Sequence, residues 1–179
     1  MLTKFELCIS HSWKVKKEGE ITFNNKLNVI VGPNGSGKST ILKAINECNN
    51  CIRKESQKTN YCLFDAEMNN PHATEKRFNN QTGNILKIRA MFSSHGEIMR
   101  TVLGNFKFNK GDCLLIDEPE SGEDIEWVIK IRKALEAMCE QGCQVIVATH
   151  HPVFFKNANI IELENNYITK TLKLFKEKI

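Results

Sequence analysis

Leu27-Asn28-Val29-Ile30-Val31-Gly32-Pro33-Asn34-Gly35-Ser36-Gly37-Lys38-Ser39-Thr40 is the stretch on which the reading of this chain turns. Its apolar run stops at a glycine, and from Lys38 onward Ile41, Leu42, Ile45 and Cys48 fall on one side of a helix predicted over residues 38–50. A strand, a glycine-rich turn and a helix therefore follow one another. Gly32, Gly35 and Gly37 let the backbone bend closely, with its N–H groups converging on a bound anion. Pro33, Asn34 and Ser36 complete the loop, and the fixed G-x-x-x-x-G-K-S spacing is that of a phosphate cradle. Lys38 supplies a mobile positive charge beside a helix N-terminus that itself favours anions. The Ser39 hydroxyl is placed to ligate Mg²⁺, while Thr40 either touches phosphate or caps the first turn.

Working outward, strands are expected at residues 5–9, 21–23 and 27–31, with a polar segment at 14–20 and a polar surface connection at 49–60. Residues 61–64 read as a short strand ending at Asp65, and Asn69-Asn70-Pro71 as a stop. Residues 85–92 fit a strand or a helical arm, and 96–103 a helix. Strands at 113–116 and 145–148 flank a helix at 124–141, on which Ile125, Val128, Ile129, Ile131, Leu135 and Met138 cluster. That βαβ unit implies parallel, neighbouring strands in an α/β layer arrangement. Residues 160–163 and 167–174 are expected to form a terminal hairpin around Glu164-Asn165-Asn166. Lys170, Lys173, Lys176 and Lys178 make its tail basic, either as a solvated face or as a surface for phosphate or a partner. The absence of repeats or low-complexity linkers predicts one domain over residues 1–179.

Two acids end the apolar strand Cys113-Leu114-Leu115-Ile116-Asp117-Glu118. A carboxylate there suits a metal ion, and its neighbour suits the proton of an attacking water, so Asp117 is the metal-supporting residue and Glu118 the general base. Ser94-His95-Gly96-Glu97 is a capping box that leaves helix N–H groups able to dock a phosphate. Val145-Ile146-Val147-Ala148-Thr149-His150 delivers His150 at a strand exit, within reach of a terminal phosphate or a water.

Taken together these segments resemble the ATP-binding cassette ATPases, and more narrowly the small members akin to RecF, SMC and overcoming-lysogenization-defect ATPases. Gly32 to Thr40 matches Walker A and Cys113 to Glu118 matches Walker B, while Asp117 to Asp124 runs on into what looks like the D-loop. Ser93-Ser94-His95-Gly96-Glu97 resembles the cassette signature, and His150 the switch histidine. The resemblance implies an α/β P-loop NTPase fold: a mostly parallel core sheet, an N-terminal antiparallel layer and a short helical arm, with residues 72–104 as a reduced helical and signature subregion. It also implies Mg²⁺-dependent ATP hydrolysis in a head-to-tail homodimer, Ser94, Gly96 and Glu97 reaching nucleotide held by the opposite chain. Asp65-Ala66-Glu67 looks like an acidic counterpart of the glutamine loop, which makes Glu67 a sensor of Mg²⁺ or water, or else a plain loop acid. Trp13 either stacks on adenine or packs.

Composition bears on what such an ATPase would act on. Basic and acidic residues number 25 and 21, a net charge of +4 that permits nucleic-acid contact without arguing for it. No charge-free run reaches 18 residues and the first residues are too polar for a secretory leader, so a cytoplasmic location is expected. The seven cysteines are expected to be reduced. Cys48 and Cys51 are spaced like half a zinc site, but with no second cysteine pair at a suitable interval they read as ordinary thiols in a helix, and His11 stands alone. DNA maintenance, repair or phage defence is the expected load, with DNA or a separately encoded effector protein as partner. A transporter ATPase with a membrane partner is the runner-up, and a nucleotide-dependent scaffold the third reading.

Overall fold

Side chains alternate across a strand, so a strand covered on both faces must feed two separate cores. Leu27–Val31 (β3) is such a strand: Ile30 joins one apolar cluster, while Leu27, Val29 and Val31 join another. The computed structural model describes residues 1–65, 109–121 and 123–178. Its other elements in chain order begin with β1 (Leu2–Glu6), α1 (Ile9–Ser12), β2 (Ile21–Thr22), α2 (Lys38–Glu47), β4 (Ile52–Glu55) and β5 (Tyr61–Asp65). There follow β6 (Cys113–Asp117), α3 (Ile125–Glu140), β7 (Gln144–Thr149), a 3-10 turn (Pro152–Phe155), β8 (Asn159–Glu162) and α4 (Tyr167–Lys178).

Five parallel strands form the central sheet in the order β5-β6-β7-β3-β8, and β2-β1-β4 form a separate antiparallel sheet. The first cluster lies between them, where Ile30, Leu115 and Ile146 meet Ile41, Leu42 and Ile45 of α2 and Leu2, Phe5 and Ile21 of the antiparallel layer. On the opposite face Val29, Ile116 and Val147 pack on Val128, Ile131 and Leu135 of α3 and on Phe154. The expected α/β architecture with an N-terminal antiparallel layer is thus present, and the βαβ unit places β6 beside β7 in parallel register.

Four local expectations are corrected. β1 stops at Glu6, because Cys8 caps α1 with its carbonyl accepting from the His11 and Ser12 N–H groups. The polar segment 49–60 contains β4, an edge strand whose side chains are mostly exposed and which backbone pairing with β1 holds in place. Ile125 and Ile129 face outward on α3, while Arg132 turns inward, donating to the Val153 and Lys156 carbonyls and to Glu136. The terminal hairpin is instead β8 followed by α4: Asn166 turns the chain at a φ of 60°, and the Glu162 carboxylate accepts from the first-turn N–H of Ile168 at 3.1 Å. The expected elements at 85–92 and 96–103, and with them the whole 72–104 subregion, lie outside the described residues.

Fully buried Gln144 joins the two sheets. Its amide donates to the carbonyls of Leu2 and Asn24, both at 2.7 Å, and its oxygen accepts the Leu2 N–H at 2.8 Å. Removing this amide leaves the buried Leu2 N–H and carbonyl without their Gln144 partner. Gln144→Ala is expected to lower unfolding free energy by about 2–4 kcal/mol, read from urea denaturation. An unchanged urea midpoint contradicts this role.

Candidate active site

The carboxyl ends of β3, β6 and β7 lie side by side because their parallel registers match Val31 with Thr149 and Asp117 with Ala148. The loop after β3 and the residues after β6 and β7 consequently open onto one edge of the sheet, where open α/β sheets bind ligands. They border a cleft of about 330 Å³ whose walls include Asn34, Gly35, Gly37, Lys38, Ser39, Thr40, Asp117 and Glu118.

Gly37 caps α2 at a φ of 98°, and a Cβ there would lie 2.7 Å from the Lys14 carbonyl and 2.8 Å from Val15 Cγ2. The Lys16 N–H donates to the Ser36 carbonyl at 3.2 Å, so residues 14–16 of the N-terminal layer brace the loop from behind. Gly32 is equally close to its surroundings, a Cβ there falling 2.6 Å from Ser36 Oγ. Ser36 Oγ itself is buried with no hydrogen-bond partner among the described residues. Such an atom inside a glycine cradle, beside a lysine, fits a phosphate oxygen.

Lys38 is only 4% exposed. Its Nζ donates to the Gly32 and Pro33 carbonyls at 3.1 and 3.3 Å and stands 4.0 Å from Glu118 Oε1. Asp117 is buried at the end of β6 and lines the same cleft as Ser39, and a carboxylate with a hydroxyl is a hard oxygen set that suits Mg²⁺. Glu118 adopts a φ of 46°, a left-handed conformation costly for a residue with a Cβ, and its N–H bonds the Ala148 carbonyl at 2.9 Å. His150 Nδ1 lies 3.8 Å from Glu118 Oε1.

Three polar residues here escaped the sequence reading. Buried Glu120 accepts from the Thr149 hydroxyl at 2.5 Å and the His150 N–H at 3.3 Å, and its Oε1 stands 3.7 Å from His150 Nδ1. Its signal was present in Asp117-Glu118-Pro119-Glu120, where a third acid follows the two that end the strand. Lys14 and Lys43 also line the cleft, so with Lys38 three ammonium groups face Asp117 and Glu118. Lys14 Nζ sits 5.0 Å over the ring of exposed Trp13. Of the other expected site residues, Glu67, Ser94, Gly96 and Glu97 fall outside the described residues.

A glycine cradle, a buried lysine and paired acids on one edge of a parallel sheet define a P-loop ATPase of the ATP-binding cassette type, with ATP and Mg²⁺ as its cofactors. The chain belongs to the AAA_23 family, described as an AAA domain, whose model matches residues 8–177. It is similar to the zinc import ATP-binding protein ZnuC of Buchnera aphidicola subsp. Schizaphis graminum, at 25% identity over 169 residues, covering 81% of this chain and 68% of ZnuC. The cytochrome c biogenesis ATP-binding export protein CcmA of Novosphingobium aromaticivorans is 27% identical over 81 residues, 45% of this chain and 42% of CcmA. The chain therefore spans about two thirds of the length of that ZnuC and less than half of CcmA. Among solved structures, CbiO1 of Clostridium perfringens, part of the ABC transporter complex cbiONQ, shares the fold at a TM-score of 0.52 and 16% identity, over 98% of this chain and 92% of CbiO1.

Two of the three loop glycines make separable demands. Gly35 has a φ of 74° but open space around its Cβ position, whereas Gly37 combines a φ of 98° with backbone contact. Gly35→Ala is expected to cost about 1–2 kcal/mol from its backbone conformation alone. Gly37→Ala is expected to cost more and to weaken ATP binding at least about tenfold, since Lys14 and Val15 must move. Urea unfolding and nucleotide titration of both variants check this order, which equal losses in the two would refute.

Proposed function

We propose that this chain is the ATP-hydrolysing subunit of an ABC-type machine that drives a separately encoded membrane partner. In this reading Gly32, Pro33, Asn34, Gly35, Ser36, Gly37, Lys38, Ser39 and Thr40 hold the phosphates. Ser39 and Asp117, with Glu67, would hold Mg²⁺, which when bound would supply positive charge to the terminal phosphates. Glu118 accepts a proton from the attacking water as its oxygen bonds to the γ-phosphorus and the bond to the bridging oxygen breaks, leaving ADP and phosphate. Lys38 offsets charge on the bridging and γ oxygens, and His150 hydrogen-bonds the γ-phosphate or the water. Glu120 holds the His150 backbone and faces its ring, which makes it a positioning residue. Ser94, Gly96 and Glu97 of the opposite chain complete the site in a head-to-tail homodimer, so that ATP bridges two subunits and hydrolysis releases them.

The observation that carries the chemistry is the convergence of Lys38, Glu118, Glu120 and His150 within 4.0 Å links at one sheet edge. The choice of load rests on the relatives: ZnuC, CcmA and CbiO1 are, by their names and descriptions, ATP-binding parts of import, export or transporter systems. They favour the transporter reading over the DNA-maintenance, repair or phage-defence reading, for which they offer no support. No helix among the described residues is long and apolar enough to cross a membrane.

Lys38→Ala is expected to lose most ATP binding. Glu118→Gln is expected to keep ATP binding while its single-turnover hydrolysis falls by about 10²–10⁴-fold. With ATP and Mg²⁺ this second variant should sediment as a dimer, and a monomer at saturating ATP overturns the sandwich. Co-expressed with its flanking genes, the tagged chain should appear in the membrane fraction. A chain that stays in the supernatant, and whose ATP-loaded Glu118→Gln form binds duplex DNA in a salt-sensitive way, overturns the transporter reading in favour of DNA maintenance.

A further inference from the structure

Cys48 and Cys51 do not share a helix. Cys48 caps the C-terminus of α2 and Cys51 sits in the turn leading to β4, which frees both sulfurs to point at the same place. From the other side of that place come Cys8, at the N-cap of α1, and His11 within it. All four ligand atoms lie within 4.8 Å of one another. Cys8 Sγ is 3.8 Å from Cys48 Sγ and 3.2 Å from His11 Nδ1, and Cys51 Sγ is 3.7 Å from His11 Nδ1.

A tetrahedral zinc ion with bonds of about 2.3 Å to sulfur and about 2.0–2.1 Å to nitrogen places neighbouring sulfurs about 3.8 Å apart, and sulfur and nitrogen about 3.6 Å apart. The 3.8 Å sulfur–sulfur separation matches the first value, and the 3.2 and 3.7 Å sulfur–nitrogen separations lie on either side of the second. We propose that Cys8, His11, Cys48 and Cys51 form a structural Zn²⁺ site that fastens the 8–16 segment to the far end of the helix carrying Lys38.

The surroundings are those of a thiolate site rather than of four incidental side chains. The Cys8 N–H donates to Cys51 Sγ at 3.4 Å. Three thiolates and one zinc carry a net negative charge, and the Arg53 guanidinium, donating to the Cys48 carbonyl at 2.8 Å, partly offsets it. The same guanidinium closes the end of α2 through the Ile45 and Ala44 carbonyls at 2.7 and 2.9 Å. Cys51 is 5% exposed and the other three ligands are half-buried, so an ion would be shielded and yet able to enter. The chemistry selects zinc: a soft, closed, four-coordinate sulfur and nitrogen set has no oxygen ligand for Mg²⁺ or Ca²⁺ and no open position for a substrate.

The site has a consequence for the cleft. Past His11 the chain continues through Trp13 to Lys14, which lines the cleft, and to Lys16, which bonds the Ser36 carbonyl. Tying residues 8 and 11 to the end of α2 therefore fixes the support behind Gly37 at both ends of one helix. This coupling rests on the nucleotide reading of the cleft, whereas the metal site stands without it.

The test uses the whole chain, purified under reducing conditions. Elemental analysis should find about one Zn²⁺ per chain, and replacement by Co²⁺ should give the visible ligand-field bands of a tetrahedral thiolate complex. Cys48→Ser/Cys51→Ser and His11→Ala should each lower the occupancy, the first to near zero, while Cys62→Ser and Cys139→Ser keep it. Should the double variant fail to fold, stripping the wild type with a chelator and adding Zn²⁺ back gives the same information: the thermal midpoint should fall and then recover. A reduced wild-type chain that binds neither Zn²⁺ nor Co²⁺ through thiolate overturns the site, as does a thiol count showing that these cysteines exist as a disulfide. Stripping should also weaken ATP binding about tenfold, and a stripped protein with unaltered ATP affinity overturns the coupling. Loss of ATP binding by the zinc-loaded protein would instead count against the nucleotide reading.

Discussion

The close approach of Gly37 to the Lys14 carbonyl and Val15 is the contact on which the rest of the arrangement depends. It presses the start of α2 against the N-terminal layer, so the phosphate loop is not a free excursion between a strand and a helix. It is held by β3 in front and by residues 14–16 behind, and the antiparallel layer is as much a part of the cleft as the parallel sheet. That explains why the N-terminal layer is fastened so firmly elsewhere. Gln144 ties Leu2 and Asn24 to the central sheet, and the Asn28 side chain bonds the Asn24, Lys26 and Val145 carbonyls. Any slack at those points would be felt at Gly37.

Electrostatics then act within that frame. Burying the Lys38 ammonium is costly unless its charge is answered, and here two loop carbonyls and the Glu118 carboxylate answer it. Lys14 and Lys43 add positive charge at the cleft, which outweighs the two acids opposite them. A site of this balance favours a polyanion over a neutral ligand, and the chain's modest overall charge conceals it because the relevant lysines come from two separate segments, Lys14 before the loop and Lys38 and Lys43 on α2. Local geometry, rather than net charge, carries the information about the ligand.

What the sequence made legible follows the same division. The strand, loop and helix at residues 27–47 were readable because apolar period and glycine spacing agree, and the βαβ unit because its two strands are buried on both faces. β4 was not, since Ile52, Arg53, Lys54 and Glu55 carry no apolar alternation and the strand is held by backbone pairing with β1 and by polar side-chain contacts such as those of Arg53. α4 was mistaken for a hairpin arm because β-branched Ile168 and Thr171 suggest a strand. Yet the Thr171 hydroxyl donates to the Tyr167 carbonyl four residues back, and Tyr167 and Ile168 pack on the second core. Cys8 and His11 were overlooked for a different reason. The partner of Cys48-x-x-Cys51 is Cys8-x-x-His11 rather than a second cysteine pair, and distance along the chain gives no hint that α1 and the end of α2 adjoin.

Register is what turns these separate pieces into one site. With Asp117 opposite Ala148 and Val31 opposite Thr149, the three central strands end within one residue of each other. A single-residue slip would reverse the alternation of β6, driving Leu115 out of the first core and Ile116 out of the second, so the apolar pattern itself forbids it. The same pattern that buries Leu115 and Ile116 on opposite faces therefore fixes how far Glu118 and Glu120 project beyond the sheet. Glu120 needs that level, because its carboxylate reaches both the Thr149 hydroxyl and the His150 N–H only when β7 ends beside it. Placement of the polar groups at the sheet edge is in this sense a consequence of how the two apolar cores divide the strands between them.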